Sequence, residues 1–246
     1  MGFRPNLPIA WLGMAVVGVV PAAGYAWRLQ PFPHSKEMHL VRGRPVMSYL
    51  IERMRLAGAD EIRVVTRPEK SDVTDYARAD KAVVIHAHPE TVSASFVTGM
   101  RHLDDGDVVL LGFPDTVWGP RDGFETLVGG LTPEQRVVLG LFRTSEPQRS
   151  DIVQTTSAGI VTGVAVKPAK PRSSWLWGCA AAEAGALRGM EGFDEPGHFF
   201  DWLCKRRPVV GVELSDRWVD IGTKSSLERG EAVAEESEER PPTTRP

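Results

Sequence analysis

The sequence has little of what defines several common protein classes. It contains only two cysteines, Cys179 and Cys204, too few for a disulfide scaffold or a four-cysteine zinc module. Its formal net charge of −3 provides no excess of basic residues for binding nucleic acid. It has neither a GxGxxG dinucleotide fingerprint, which counts against a nicotinamide-dependent oxidoreductase, nor a Walker A loop. What remains is a chain of 246 residues, 42% of them hydrophobic, which is long enough to bury a sizeable core.

The apolar stretch near the N-terminus, residues 7–23, has two interpretations. The stretch is too short for a membrane helix, and its glycines and prolines interrupt it. One interpretation is a secretory signal peptide. We favour the other, a buried first strand over residues 15–20, because a motif continues directly after it and cleavage would cut that motif. We therefore expect a cytoplasmic protein with no membrane partner. We further hypothesise that Met14 is the true start, which makes residues 1–13 an N-terminal extension.

Patterns typical of helix and strand alternate from residue 46 to residue 142. Pro45 and Gly58 bracket a run of apolar residues at helical spacing, and a second helix is expected between Thr91 and His102. Mostly apolar segments, typical of strands in such a sheet, occur at 62–65, 82–85, 108–111 and 137–142. This order predicts a mostly parallel sheet with right-handed crossovers.

The second half of the chain has strand-like segments with less helix between them, at 160–166, 175–180 and 209–214. The two halves together predict an α/β, Rossmann-like fold. It would be a single domain over residues 14–227, with a mostly parallel mixed sheet flanked by helices. Residues 228–246 contain six Glu and three Arg, and we expect them to form an acidic tail, in which the fraying end of a helix is followed by disorder.

The loop after the first strand is the first candidate site, because ligands of such sheets bind beyond the carboxyl ends of the strands. Ala22, Ala23 and Gly24 are small enough for backbone N–H groups to approach an anion. Arg28 can add charge-assisted hydrogen bonds to phosphate, and Lys36 can reach the same anion as a point charge. These residues predict a phosphate site. A tight turn followed by two solvated cations is the alternative.

Three later positions are singled out only by a resemblance to a known family. Asp115 follows the apolar segment 108–111, Lys167 lies between two strand-like segments, and Asp220 precedes the last helical pattern. Each has a simpler reading when it is taken alone. Asp115 is compatible with an Asx-turn or a helix cap, Lys167 with an ordinary exposed lysine, and Asp220 with a helix cap.

The loop and the later positions together resemble the signature of the sugar-1-phosphate nucleotidyltransferases, which include the glucose-1-phosphate thymidylyl- and uridylyltransferases. The matching segments are Pro21-Ala22-Ala23-Gly24, Arg28-Leu29, Pro31, Ser35-Lys36-Glu37, Arg44-Pro45, the strand-end Asp115, Val166-Lys167-Pro168 and Trp218-Val219-Asp220-Ile221-Gly222-Thr223. They occur in the order of the family, and the resemblance spans most of residues 15–227.

The resemblance implies a GT-A-like form of the fold and a specific reaction. The chain would join a nucleoside triphosphate, with dTTP or UTP favoured, to a sugar 1-phosphate and release pyrophosphate. It would require Mg²⁺, and a homo-oligomer is one possible assembly. The implied roles are metal binding by Asp115 and Asp220, catalysis by Arg28 and Lys36, nucleotide binding by Ala22, Ala23, Gly24 and Arg28, and sugar-phosphate binding by Lys167.

Several positions depart from the family pattern. Ala26-Trp27 stands where the family has Gly-Thr, Val166 replaces the glutamate of Glu-Lys-Pro, and Ser150-Asp151 replaces a Tyr-Gly of the sugar site. Two alternatives therefore stay open: a non-catalytic homologue that binds nucleotide or sugar phosphate, and a related cytidylyl- or guanylyltransferase. For His86 and His88 we expect a structural or base-contacting role rather than a metal pair.

Overall fold

The computed structural model describes residues 13–24, 34–221 and 224–239. The strands are β1 (Val16–Pro21), β2 (Leu40–Val41), β3 (Arg44–Pro45), β4 (Glu61–Thr66), β5 (Val83–His86), β6 (Val108–Gly112), β7 (Thr116–Trp118), β8 (Val137–Arg143), β9 (Asp151–Thr155), β10 (Val161–Val166), β11 (Trp175–Glu183), β12 (Val210–Ser215) and β13 (Trp218–Asp220). The helices are α1 (Val46–Leu56), α2 (Ser71–Ala79), α3 (Val92–Gly99), α4 (Gly123–Gly129), α5 (Pro196–Cys204) and α6 (Lys224–Glu239).

One nine-stranded sheet organises the molecule. Its main path runs β10-β9-β11-β6-β1-β4-β5, and β8 joins β11 to β12. The pairs β1–β4, β1–β6 and β4–β5 are parallel, whereas β11 runs antiparallel to β6 and β8. The carboxyl ends of β1, β4 and β6 therefore lie at one edge, together with the first residues of β11. The predicted α/β domain, with a mixed sheet flanked by helices, is confirmed.

The two faces of the sheet carry separate cores, because successive side chains of a strand point to opposite faces. Val16 and Leu110 pack with Met54 of α1 on one face. Val17 and Val109 pack with Phe96 of α3 on the other. The central strands are buried on both sides, which explains why their sequences are continuously apolar.

A third, smaller core lies where α6 covers the short ladder of β7 and β13. Val117, Val219, Ile221 and Ala234 are buried there. The expected fraying and disorder from residue 228 are corrected by this packing, since α6 continues to Glu239 and its apolar face is covered. The acidic composition concealed how far this amphipathic helix extends.

The two chain termini lie largely outside the described residues. These include residues 1–12 of the expected N-terminal extension and residues 240–246 of the expected tail. The predicted first strand is confirmed, because β1 pairs with strands on both of its sides. Among the described helices, none is long and apolar enough to cross a membrane.

Candidate active site

The loop after β1 is held through its carbonyl groups. Lys70 Nζ donates to Ala22 O at 2.7 Å and to Gly24 O at 3.3 Å, and Arg67 Nε donates to Ala23 O at 2.7 Å. The N–H of Ala22 donates to Val65 O at 2.8 Å and thereby continues the sheet. The N–H of Ala22 is thus used within the sheet, and the nucleotide-binding roles expected of Ala22, Ala23 and Gly24 stay predictions.

Arg28 lies outside the described residues, together with the rest of 25–33. Its expected grip on the nucleotide phosphates therefore stays a prediction. The same holds for the departure at Ala26-Trp27.

Lys36 belongs to a short 3₁₀ turn, Lys36–Met38, that is fixed from both sides. The backbone N–H and the hydroxyl of Ser35 both donate to the Asp72 carboxylate, at 2.7 and 2.8 Å. The Lys36 ammonium contacts Asp115 Oδ2, and their side chains are 26% and 14% exposed. Burial alone would lower the pKa of Lys36, but the carboxylates of Asp115, Glu37 and Asp220 outweigh it and raise the pKa. The lysine is therefore charged at neutral pH.

The two predicted metal ligands meet at the edge of the sheet. Asp115 follows β6 and leads into β7, which pairs with β13 so that Thr116 lies opposite Asp220. The N–H of Ile221 donates to Asp115 O at 2.7 Å and closes this ladder. Both carboxylates act on the pKa of Lys36. The structure thus brings together three of the residues singled out in the sequence.

Lys167 lies in a second cluster at the end of β10. Its backbone is left-handed, with φ of 42°, and its ammonium pairs with Glu195 Oε1 at 2.7 Å. Val166 pairs with Asp151 across β9 and β10, and Asp151 Oδ2 accepts a hydrogen bond from Trp177 Nε1 at 3.3 Å.

The second cluster adjoins the first through aromatic packing. The Trp177 ring packs on Phe113 with centroids 5.1 Å apart, two residues before Asp115. Burial, and then the neighbouring Glu195, raise the pKa of Asp151 above its ordinary value. Buried carboxyl groups with a raised pKa, such as Asp151, are common in functional sites.

Three residues of the two clusters escaped the sequence analysis: Lys70, Glu195 and the functional role of Glu37. Lys70 lies at the start of α2, a helix that was not predicted, so its reach to the loop was not visible. Glu37 was quoted only as part of a motif, yet it is fully buried and pairs with Lys70 at 2.7 Å. Glu195 has no local signal, because it reaches Lys167 from a distant part of the chain.

The histidine pair has ordinary partners. His86 Nε2 lies 3.1 Å from Thr74 Oγ1, and His88 Nε2 lies 3.2 Å from Glu69 Oε1. Over residues 13–24, 34–221 and 224–239, no group of three or more His, Cys, Asp or Glu side chains is arranged to hold a metal ion. The expected role of Asp115 and Asp220 as metal ligands therefore stays a prediction.

The fold and the site define an α/β protein with an ammonium and two aspartates at the carboxyl edge of its sheet, beside a loop of small residues. The family model for the MobA-like NTP transferase domain matches residues 18–177, and the chain belongs to this family. The protein is a nucleotidyltransferase, and its resemblance to the sugar-1-phosphate nucleotidyltransferases is confirmed.

Relatives and solved structures agree with this family. The chain is 23% identical over 239 residues to a glucose-1-phosphate thymidylyltransferase of Neisseria gonorrhoeae, covering 85% of this chain and 79% of the relative. It is 28% identical over 245 residues to a glucose-1-phosphate thymidylyltransferase of Streptomyces griseus, covering 90% and 67%. The fold is similar to that of the UTP-bound UGPase from Acinetobacter baumannii. The TM-score is 0.75 at 19% identity, covering 93% of this chain and 95% of that one.

Proposed function

We propose that the chain transfers a nucleotidyl group from a nucleoside triphosphate, with dTTP or UTP favoured, to a sugar 1-phosphate, and releases pyrophosphate. The observation that carries the proposal is the meeting of Lys36, Asp115 and Asp220 at the carboxyl edge of the sheet. The relatives named above support the substrate class.

The reaction suits these residues. A sugar phosphate oxygen attacks the α-phosphorus of the triphosphate, and pyrophosphate leaves in line. Both reactants are anions, so catalysis consists of bringing them together and neutralising charge on the phosphoryl oxygens. Lys36 would place an ammonium near the transferring group. No side-chain base is required, because a phosphate monoester is already an anionic nucleophile.

The second cluster would receive the sugar phosphate. Lys167 is half exposed, and it would bind the phosphate as a point charge. Asp151 and Glu195 stand beside it, and as carboxylates they would accept hydrogen bonds from sugar hydroxyl groups. They would supply acidic groups that Val166, the residue in place of the family glutamate, cannot.

The site fits a magnesium ion by the chemistry of its donors. Mg²⁺ binds oxygen ligands and is usually held by one or two carboxylates, with substrate phosphates and water completing the shell. Asp115 and Asp220 would hold it, since both carboxylates act on the same ammonium. When bound, the ion supplies Lewis-acid neutralisation of phosphate charge. Lys36 would then donate to phosphate oxygens rather than to Asp115.

The test is pyrophosphate release with magnesium, across dTTP, UTP, CTP, GTP and ATP and a panel of sugar 1-phosphates. Asp115→Asn and Asp220→Asn should each lower the rate by about 100-fold or more, as expected for loss of an electrostatic group at the reacting centre. Asp105→Asn is the matched control, because Asp105 is an exposed aspartate that pairs with Arg188 far along the chain.

Two results would contradict the proposal. If Asp115→Asn and Asp220→Asn both release pyrophosphate at the wild-type rate, these aspartates do not form the active site. A folded wild-type chain that binds a triphosphate but releases no pyrophosphate with any pair would instead point to the non-catalytic homologue.

A further inference from the structure

A buried ion pair links the loop after β1 to the segment that carries Lys36. Glu37 is fully buried, the Lys70 side chain is 11% exposed, and their charged atoms are 2.7 Å apart. The same ammonium donates to Ala22 O and Gly24 O, at 2.7 and 3.3 Å. An ammonium has three protons, and Lys70 has three acceptors. Its hydrogen-bonding capacity is therefore used within the protein.

The first turn of α2 grips the active-site segment at a second point. Asp72 accepts hydrogen bonds from the N–H and hydroxyl of Ser35, one residue before Lys36. Lys70, the residue preceding α2, holds Glu37, one residue after Lys36. The turn that presents Lys36 to Asp115 is thus fixed on both sides by one helix terminus.

We propose that Lys70 is a positioning residue for the nucleotide. It holds the loop of Ala22 to Gly24 and the Lys36 turn in one fixed arrangement that receives the triphosphate. The inference rests on the proposed function. In a trans peptide the carbonyl and the following N–H point in opposite directions, so fixing Ala22 O on Lys70 also fixes the direction of the Ala23 N–H. Lys70 acts through these groups and does not bind phosphate itself.

Stability alone does not explain a buried pair of this kind. Desolvation of two charges offsets most of their attraction, and an apolar pair of similar volume is commonly as stable. One oxygen of Glu37, Oε1, is buried and lacks a hydrogen-bond partner in the described part of the chain, which adds to the cost. What the pair provides that an apolar pair would not is the set of hydrogen bonds to the loop carbonyls.

The experiment compares Lys70→Met with the double variant Glu37→Met/Lys70→Met. The readouts are the Kd of each of the five triphosphates with magnesium, the separate KM values of triphosphate and sugar 1-phosphate, and the melting temperature. Lys70→Met should raise the Kd and KM of the triphosphate by about tenfold or more, the effect of losing charge-assisted hydrogen bonds. The KM of the sugar 1-phosphate should stay within about twofold. Lys205→Met is the control, since Lys205 is exposed and pairs with Asp201 away from the site.

The double variant separates positioning from charge balance. It removes the uncompensated Glu37 charge, so the melting temperature should recover. Triphosphate binding should stay weak, because Ala22 O and Gly24 O have lost the Lys70 ammonium. Triphosphate binding restored to the wild-type value in the double variant would overturn the inference. An equal rise in KM for both substrates would also overturn it. If the wild-type chain binds none of the five triphosphates, the proposed function itself fails, and the inference falls with it.

Discussion

Arg53 is a buried guanidinium that joins the helix α1 to the strand that leads away from Asp115. It is 3% exposed, and it donates to Tyr49 O at 2.9 Å and to Trp118 O at 2.5 Å. Its guanidinium also lies over the Trp118 ring, 4.8 Å from the centroid. Burial lowers the pKa of Arg53 to about 10, so it stays charged at neutral pH. It therefore anchors β7, and with β7 the ladder that places both aspartates.

We predict that Arg53→Met lowers the free energy of unfolding by about 1–3 kcal/mol, because the Trp118 carbonyl is left without its buried donor. Urea denaturation monitored by far-UV circular dichroism measures this change. Arg55→Met is the matched control on the same helix. Arg55 is 42% exposed and pairs with Asp80 at the surface, so its loss should cost less than about 1 kcal/mol. Equal losses for the two variants would contradict an anchoring role for Arg53.

Asp151 should show a pH-dependent cost to stability. Its pKa is raised in the folded chain, first by burial and then by Glu195. A carboxyl group with a raised pKa favours folding below its unfolded pKa, about 3.9, and loses that contribution as pH rises through the folded pKa. Asp151→Asn keeps an acceptor for Trp177 and removes the charge. We predict that it raises the free energy of unfolding at pH 7 and that this gain disappears below about pH 3.5.

The same variant tests the sugar site. If Asp151 accepts hydrogen bonds from the sugar, Asp151→Asn should raise the KM of the sugar 1-phosphate while the KM of the triphosphate stays unchanged. For the stability prediction, an Asp151→Asn variant that is less stable than the wild type at pH 7 would show that burial of the Asp151 charge does not destabilise the folded chain.

At the scale of the element, α6 is longer than its composition suggests. Its charges suggested a solvated tail, yet Ala234 is fully buried in the third core, whereas Glu235 and Glu236 are exposed. Helical periodicity across residues 224–239 was the signal that could have revealed its full length. The helix covers β13, and so it supports the strand that carries Asp220.

We predict that Ala234→Glu lowers the free energy of unfolding by about 3 kcal/mol, because it buries an unpaired charge in the third core. It should also reduce catalysis, since β13 loses its cover. Ala232→Glu is the matched control, because Ala232 lies exposed on the same helix. Denaturant unfolding and pyrophosphate release measure the two effects. Equal behaviour of the two variants would mean that α6 does not pack on the sheet in solution.

Whether the other elements could be predicted depends on the strength of their sequence pattern. The long apolar strands, such as β1 and β6, were predicted within one or two residues because burial on both faces leaves a continuous apolar run. The helices α2, α4 and α5 were not predicted. β7 and β13 have only three residues each, too few for any periodic signal. Their pairing depends on contacts between distant parts of the chain.

At the scale of the whole molecule, one sheet serves both main cores. Trp118 belongs to the core on one face and Trp177 to the core on the other, and the strands between them are shared. Neither core can therefore be lost while the other stays intact. We predict a single unfolding transition in urea, with tryptophan fluorescence and far-UV circular dichroism giving the same midpoint. Two separated transitions would show that the halves of the chain unfold independently.

The site was predictable to the extent that its residues lie in recognisable segments. Lys36, Asp115 and Asp220 were found by motif, and the sheet topology explains why they meet. Lys70 and Glu195 were not found, because each acts on a partner far away in the sequence and neither lies in a motif. In this chain, the residues proposed to contact substrate lie in recognisable segments, whereas the residues that hold them in place do not.

The left-handed backbone of Lys167 has a consequence for how this position would change under selection. A lysine in that conformation costs about 1 kcal/mol or more, whereas glycine adopts it freely. A library screened for thermal resistance alone should therefore enrich glycine at residue 167. A library screened for product formation should retain lysine and accumulate stabilising changes elsewhere. The residue found at position 167 after selection would thus show whether stability or product formation was under the stronger selection.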